Sequence, residues 1–286
     1  MIPAPFSYVA PTTVEDAVAA LASGGEDAKV LAGGQSLIPV LRLRLSYPEI
    51  VVDLGKIAEL RGIRDDGDAI VIGAMTTHHE VLRDPLVAQY VPLLAQATQT
   101  VADPQIRHRG TFGGSLSHAD PAGDLPSVAL ALDAEMVLAG RDGRRTVAAR
   151  DFFLDYLTTA IQPGEILTEI RLPKLGEGWG TCYEKFNRVA QAWSIVAVAA
   201  AVRRENGSIA EVRVGLTNMG STPLRATAVE QALAGQPAEA SSVAAAAAHA
   251  AEGTTPTDDL NAKADYRSHL ATVLTRRALA KAAGLS

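Results

Sequence analysis

Two glycine pairs, Gly33-Gly34 and Gly113-Gly114, restrict the fold of this sequence more than any other feature. The first pair follows a predicted strand, Lys29 to Ala32, and precedes a helix-like segment. Glycine has no Cβ, so its backbone can turn sharply and can lie close to another group. The sequence therefore predicts a fold in which strands pass into helices through tight turns.

Both glycine loops have the composition of an anion-binding turn. In Ala32-Gly33-Gly34-Gln35-Ser36, consecutive backbone amides can point at one anion, and Ser36 can add a hydroxyl donor. The second loop, Thr111-Phe112-Gly113-Gly114-Ser115, offers the same groups. Together they suit a diphosphate without a cationic side chain or a metal. Neither loop is a G-x-G-x-x-G fingerprint or a P-loop, and on the residues alone two unrelated turns are an equal alternative.

The order of predicted elements indicates an α+β protein with domain boundaries near residues 55 and 178. Residues 1–55 form a small α/β unit, with a helix from Thr13 to Ala22 that Thr12 and Glu15 would cap. Residues 56–177 form a mixed unit with predicted strands at Leu60 to Arg64, Ala69 to Gly73, Glu135 to Ala139 and Ile166 to Leu172. Residues 178–286 begin with three long antiparallel strands, Gly180 to Arg188, Ser194 to Arg204 and Ile209 to Thr217, and continue as alanine-rich helices.

Charge and cysteine content exclude several classes of function. The net charge of -6 argues against nucleic acid as a partner, because nucleic-acid binders need a basic face. The single cysteine, Cys182, cannot form an intramolecular disulfide, hold an iron-sulfur cluster or complete a zinc site, which suits a reducing cytoplasm. His78 and His79 are adjacent and make a poor metal pair, so no metal site is predicted. The longest apolar run, Ile195 to Val202, is too short to cross a bilayer.

Asp124 permits two interpretations. It stands where a helix is expected to begin, with Pro126 in the first turn, and aspartate is a favoured N-cap that needs no ligand. Alternatively, its carboxylate accepts hydrogen bonds from ribityl or ribose hydroxyl groups. The residues alone do not decide between the two.

The ordered motifs resemble those of a known family. Ala32-Gly33-Gly34-Gln35-Ser36, Asp103-Pro104-Gln105-Ile106-Arg107, Thr111-Phe112-Gly113-Gly114-Ser115 and Gly123-Asp124-Leu125-Pro126 resemble the FAD-binding medium subunits of molybdenum hydroxylases. That family includes aerobic carbon monoxide dehydrogenase and xanthine dehydrogenase, and the resemblance spans nearly the whole chain. It implies a vanillyl-alcohol-oxidase-like FAD-binding fold of two α/β subdomains followed by a C-terminal three-stranded antiparallel sheet with helices.

The resemblance also implies a set of FAD-binding residues. The loops 32–36 and 111–115 would embrace the pyrophosphate, and Asp124 corresponds to the family's cofactor-binding aspartate. Val101, Leu167 and Lys185 match positions close to the flavin. Serine at position 115 and glutamine at position 35 depart from asparagine and histidine in some relatives, which leaves FAD binding intact but puts the substrate in doubt.

The implied function is that of an electron carrier, with no catalytic acid or base on this chain. A large molybdopterin-binding subunit would oxidise the substrate, and a small 2Fe-2S subunit would pass electrons to the FAD, which delivers them to an external acceptor. The expected assembly is a dimer of heterotrimers. Two rival functions are a self-sufficient FAD oxidase of the same fold and a nucleotide-binding module that carries no redox cofactor.

Trp193 lies between two predicted strands of the third unit. An aromatic residue there is commonly a packing anchor. The resemblance instead implies that it lies over the isoalloxazine and shields one flavin face. Both interpretations are retained.

Overall fold

The computed structural model describes residues 2–285, so the predicted first and last domains are described without Met1 and Ser286. The first unit is a three-stranded parallel sheet with strand order β1-β3-β2. Its elements are β1 (Ser7–Val9), α1 (Val14–Gly24), β2 (Ala28–Leu31), α2 (Leu37–Arg42) and β3 (Ile50–Asp53). Helix α1 buries Val14, Ala17, Val18 and Leu21 at helical spacing. These side chains pack against Val52 of β3 and against Ala139 and Ile166 of the next unit, which joins the two units.

The middle unit is built on a five-stranded antiparallel sheet of order β4-β5-β10-β6-β7. Its strands are β4 (Ile63–Asp66), β5 (Ala69–Gly73), β6 (Glu135–Gly140), β7 (Gly143–Ala148) and β10 (Ile166–Pro173), with a separate hairpin of β8 (Phe153–Asp155) and β9 (Thr158–Thr159). Its helices are α3 (His78–Arg83), α4 (Pro85–Tyr90), α5 (Pro92–Gln99), α6 (Pro104–Arg107), α7 (Phe112–His118), α8 (Asp124–Ala131) and α9 (Ala149–Phe152). The helices and the sheet enclose one core.

The C-terminal unit is an antiparallel sheet with helices on one face. Its strands are β11 (Trp179–Phe186), β12 (Val196–Glu205), β13 (Ser208–Thr217) and β14 (Leu224–Arg225), and its helices are α10 (Thr227–Leu233), α11 (Ala240–Ala247) and α12 (Ala264–Ala282). Strand β12 is buried on both faces. Val198 and Ala200 face the helices of this unit, whereas Ala199 and Ala201 face the core of the middle unit, as the two-residue period of a strand requires.

Helix α8 connects the middle unit to the C-terminal sheet. All eight of its residues are buried, which is the state of a helix covered on every side. It packs against β12 and β13, and a side chain at Gly215 of β13 would overlap the carbonyl oxygen of Ser127. The helix that begins at Asp124 therefore lies in the interface between two units.

Several sequence predictions differ from the structure in detail. Thr13, and not Thr12, caps α1, because its hydroxyl accepts the Asp16 amide at 3.1 Å and leaves Glu15 outside the cap. Strand β4 begins at Ile63 because Leu60 belongs to a short 3-10 turn and is buried in the first core. The predicted three-stranded C-terminal sheet gains a fourth strand, β14, whose two residues are too few to show a period.

The antiparallel pairing of β11, β12 and β13 and the hairpin of β4 and β5 are confirmed. The domain boundaries near residues 55 and 178 stay predictions. Within residues 2–285, none of the helices combines the length and the apolar character that a membrane span requires.

Candidate functional site

The first glycine loop, residues 32–36, connects β2 to α2 and has unused backbone donors. Among residues 2–285, no protein acceptor pairs with the backbone N–H groups of Gly33, Gly34, Gln35 or Ser36. Gly34 has φ +78°, a conformation that glycine adopts without strain. Ser36 precedes α2 but its side chain makes no capping hydrogen bond, so the hydroxyl is also available. These four amides and the Ser36 hydroxyl, here called the first-loop cradle, are donors that suit a phosphate or diphosphate.

The second glycine loop, residues 111–115, uses its amides differently. Phe112 and Gly113 donate to the carbonyl oxygens of Thr76 and Ala74, each at 3.0 Å, and Gly114 donates to the Thr111 hydroxyl at 3.1 Å. A Cβ at Gly113 would clash with Ala74. The glycines here allow close packing against the segment after β5, and the expectation that both loops present free amides holds for the first loop alone.

The hydroxyl of Ser115 is the group that the second loop can still offer. It makes no hydrogen bond within the described part of the chain, and the residue is half-buried. Phe112 is wholly buried in the middle core, so a ligand could meet its backbone but not its ring.

The two loops lie side by side. A Cβ at Gly33 would overlap the carbonyl oxygen of Arg109, just before the second loop. A Cβ at Gly114 would lie 3.5 Å from the Cβ of Ala32. Residues that are separated by about 80 positions in the chain are thus neighbours in the fold. That the two loops bind a diphosphate stays a prediction.

His78 contacts Gly110, the residue just before the second loop. Its backbone N–H donates to the Gly110 carbonyl oxygen at 2.9 Å, and its imidazole packs against Gly110. Burial, together with the nearby positive charge of Arg107, lowers the pKa of His78 to about 4 from an ordinary value of 6.5. The imidazole is therefore neutral at pH 7.

Asp124, the one carboxylate among the predicted site residues, is buried and held by several hydrogen bonds. Gly123 is the N-cap of α8 and the Asp124 side chain caps no amide, so the N-cap interpretation is wrong. The carboxylate is 4% exposed. Its Oδ1 atom accepts hydrogen bonds from the Tyr183 and Ser194 hydroxyls, both at 2.8 Å, and its Oδ2 atom lies 2.8 Å from the Lys185 Nζ atom. Buried charge of this kind is stable only when it is paired and hydrogen-bonded.

Tyr183 acts as a donor in this cluster. Burial of its hydroxyl, with the nearby carboxylate of Asp124, raises the pKa of Tyr183 well above its ordinary value of 10.0. The phenol therefore stays protonated and donates to Asp124 across the neutral range.

Lys185 faces a cavity. Its side chain is 5% exposed and also donates to the Thr100 carbonyl oxygen at 3.1 Å. It lines a cavity of about 460 Å³ between α5, α6 and the segment after β11, here called the Lys185 cavity, together with Thr100, Ala102, Arg107 and Gln191. Arg107 donates to the carbonyl oxygens of Val101 and Ala102, at 2.7 Å and 3.4 Å, which shapes one wall.

The remaining predicted residues lie in different environments. Leu167 is 4% exposed within the middle core, and Val101 is partly buried against the same core. Trp193 is 56% exposed and lines a second cavity of about 300 Å³ with Asp120, Ser194 and Asn218, here called the Trp193 cavity. Gln35 donates weakly to the Gly33 carbonyl oxygen at 3.4 Å.

Sequence reasoning missed Tyr183 and Ser194 as members of the site. A signal existed for Tyr183, because it lies two positions before Lys185 on a predicted strand and so shares its face. No sequence signal identified Ser194, whose contact with Asp124 joins positions 70 residues apart.

Comparisons with known proteins identify the family of the chain. Residues 4–175 match the FAD binding domain in molybdopterin dehydrogenase, and residues 181–282 match the CO dehydrogenase flavoprotein C-terminal domain. The carbon monoxide dehydrogenase medium chain of Hydrogenophaga pseudoflava is 42% identical over 98% of this chain and 97% of its own length.

Solved structures give the same result. A structure of carbon monoxide dehydrogenase from Hydrogenophaga pseudoflava superposes with a TM-score of 0.97 and 43% identity, covering 100% of this chain and 99% of that one. Quinoline 2-oxidoreductase from Pseudomonas putida has a TM-score of 0.94 and 35% identity, covering 100% and 99%. The chain belongs to the family of FAD-binding medium subunits of molybdenum hydroxylases. FAD is its cofactor, and the predicted FAD-binding α+β fold is confirmed.

The first-loop cradle can be tested by adding a negative charge. Ser36→Asp should weaken FAD binding about tenfold or more, because a carboxylate beside the four free amides repels the pyrophosphate. Aspartate remains a good residue before α2, so the fold is kept. Flavin absorbance or fluorescence titration gives the Kd. Thr13→Asp is the matched control, since it places the same residue at the exposed N-cap of α1. Equal Kd values for the two variants would contradict the assignment.

His78 should make the protein sensitive to mild acid. Because folding lowers the His78 pKa, its contribution to the free energy of unfolding is complete above pH 6.5 and is lost as the pH falls from 6.5 to about 4. The full loss is about 3 kcal/mol. Urea unfolding across this range should show a shallower pH dependence in His78→Gln than in wild type. His249→Gln, which removes an exposed imidazole far from the glycine loops in the sequence, is the matched control. If the pH profiles of wild type and His78→Gln are parallel, the His78 imidazole is not the cause of the loss of stability in mild acid.

Proposed function

We propose that this chain carries electrons through bound FAD from the 2Fe-2S clusters of a small subunit to an external acceptor, while a separate molybdopterin subunit oxidises the substrate. The single cysteine of the sequence supports this division of labour, because a 2Fe-2S cluster takes four protein ligands, usually thiolates. Bound FAD would supply the redox chemistry, accepting electrons and passing them on. The residues of this chain would bind and orient the cofactor.

The observation that carries the proposal is the cradle of free amides at Gly33 to Ser36, beside the second loop. We assign the pyrophosphate to the first-loop amides and to the Ser36 and Ser115 hydroxyls. The second loop would lie against the pyrophosphate, held in place by the hydrogen bonds of Thr111, Phe112, Gly113 and Gly114. Ala32 and Gln35 complete the first loop.

The isoalloxazine is assigned to the region of Lys185. Lys185 donates to Asp124 and to Thr100, which leaves its third N–H without a partner among residues 2–285. Because Lys185 also lines the Lys185 cavity, we assign this donor to a ligand bound there. Val101 lies beside this cavity through its contact with Arg107, and Leu167 would support the flavin from the core. A fixed positive charge near the flavin favours its reduced form, so Lys185 would tune the potential.

The substrate is assigned to a partner chain. Relatives whose names specify carbon monoxide and quinoline as substrates share the fold of this chain with TM-scores of 0.97 and 0.94. A medium subunit whose shape is retained across such different substrates is not expected to recognise either. We propose a cytoplasmic complex with one large and one small subunit, assembled as a dimer of heterotrimers.

Electron flow can be tested with the assembled complex. The chain should be purified alone and after co-expression with a large molybdopterin-binding subunit and a small 2Fe-2S subunit from the same organism. Substrate added without oxygen should bleach the flavin absorbance of the complex within its turnover time and leave the isolated FAD-bound chain oxidised. Substrate turnover by the isolated chain at the rate of the complex would instead support a self-sufficient oxidase. A chain that stays colourless after incubation with FAD would support a non-redox module.

The position of Trp193 supports a second prediction. The indole is more exposed than a packing anchor would be. Its segment borders both cavities, since Gln191 lines the Lys185 cavity and Trp193 lines the Trp193 cavity. We therefore propose that the indole covers one face of an isoalloxazine bound in the Lys185 cavity. Trp193→Ala should increase the fluorescence of bound flavin and change its reoxidation rate, while the loops keep FAD in place. Val189→Ala, on the same segment and also exposed, is the matched control. If fluorescence and reoxidation are unchanged in Trp193→Ala, Trp193 does not cover the flavin.

A further inference from the structure

The Asp124 carboxylate is largely satisfied by the protein itself. Its Oδ1 atom takes two hydroxyl donors and its Oδ2 atom takes the Lys185 ammonium, so three of about four lone-pair sites are occupied. All three donors belong to the C-terminal unit, whereas Asp124 is the first residue of α8 in the middle unit. The geometry is that of an anchor that fixes other groups.

Lys185 depends on this anchor for its position. A lysine side chain has four rotatable carbon-carbon bonds and a large rotamer entropy, so a single contact fixes it poorly. Asp124 and the Thr100 carbonyl oxygen hold the ammonium from two directions, at 2.8 Å and 3.1 Å. The direction of the first contact depends on how the carboxylate is turned about its Cβ–Cγ bond, and the donors on Oδ1 set that rotation.

Ser194 connects the same anchor to Trp193. Its hydroxyl donates to Asp124, and its carbonyl oxygen accepts from the Asn218 side chain at 2.8 Å. Ser194 is 2% exposed, whereas its neighbour Trp193 is 56% exposed. The backbone from which the indole projects is therefore fixed at one side by a buried contact to Asp124.

We propose that Tyr183 and Ser194 are positioning residues of the flavin site, which act through Asp124 to hold the Lys185 ammonium at its cavity. Ser194 also fixes the backbone beside Trp193. The proposal rests on the proposed function in that the flavin is the ligand that Lys185 serves. It assigns to Asp124 the role of orienting Lys185. The hydroxyls of Tyr183 and Ser194 then affect the flavin environment through their hydrogen bonds to Asp124.

The first test needs no cofactor. Tyr183→Phe and Ser194→Ala are each compared with wild type in the FAD-free full-length chain, by acetylation of lysine amines and peptide mass spectrometry. Lys185 should react slowly in wild type and several-fold faster in both variants, because the ammonium loses its fixed orientation. The exposed Lys29 serves as the internal reference for reagent activity.

Thr181→Val is the matched control. Its hydroxyl also bonds across the interface, accepting from the Gln96 amide at 3.1 Å on the same strand as Tyr183, but it does not touch Asp124. If the variants act merely by loosening the interface, Thr181→Val should expose Lys185 equally, and that result would overturn the proposal. Wild-type reactivity of Lys185 in both Tyr183→Phe and Ser194→Ala would also overturn it. Because two variants are used, misfolding of one, detected by circular dichroism, leaves the other decisive.

The second test uses the FAD-bound chain. Tyr183→Phe should lower the flavin midpoint potential and shift its absorption bands, since a less well-placed Lys185 stabilises the reduced flavin less. Ser194→Ala should show the same shift together with altered flavin fluorescence. If Lys185 labelling changes while the potential and spectrum match those of Thr181→Val, the link to the flavin is refuted. If wild type binds no FAD, the proposed function fails, and the labelling result still decides whether the two hydroxyls position Lys185.

Discussion

The packing of the middle unit against the C-terminal unit depends on the buried ion pair between Asp124 and Lys185. Both side chains are at most 5% exposed, and removing one partner of such a pair typically costs about 3–5 kcal/mol because the other charge is left buried. Replacing both by apolar residues is often neutral, so the pair is not explained by stability alone. The hydroxyls of Tyr183 and Ser194 and the Thr100 carbonyl oxygen give the pair a definite orientation. An oriented charge at the wall of a cavity is useful to a redox cofactor in a way that an apolar contact is not.

The two glycine loops have separate physical roles although their sequences look alike. In the second loop, the amides of Phe112, Gly113 and Gly114 donate hydrogen bonds to other groups of the protein. In the first loop, four successive amides have no protein partner among residues 2–285. These residues are partly exposed, so their amides can reach a ligand, and successive N–H groups of this kind suit an anion. The second loop therefore supports the first, and the packing of Gly33 against Arg109 brings them together.

The sequence was informative where local chemistry decides the structure. Strand β5 has the predicted bounds, because a short apolar segment, Ala69–Gly73, between two turns strongly favours a buried strand. Prediction was wrong where a distant contact competes with a local rule. Asp124 has the composition of an N-cap, yet its side chain turns away from the α8 amides because Lys185, Tyr183 and Ser194, 59 to 70 positions away, offer better partners. Tyr183 could have been found from the two-residue period of strand β11, which places it on the same face as Lys185. Nothing local in the sequence indicated Ser194.

The arrangement of the site also accounts for a medium subunit that keeps its shape while the substrates named for its relatives differ. The proposed diphosphate site belongs to the first and middle units, whereas Lys185 and Trp193 belong to the C-terminal unit. A cofactor that spans these units is oriented only when α8 sits against β12 and β13, with Asp124 in contact with β11. In the function proposed above, changes that preserve this interface would keep the flavin correctly placed, whatever molecule is oxidised on the large subunit. Selection for a new substrate can then act on another chain, because the geometry that this chain must maintain is internal to it.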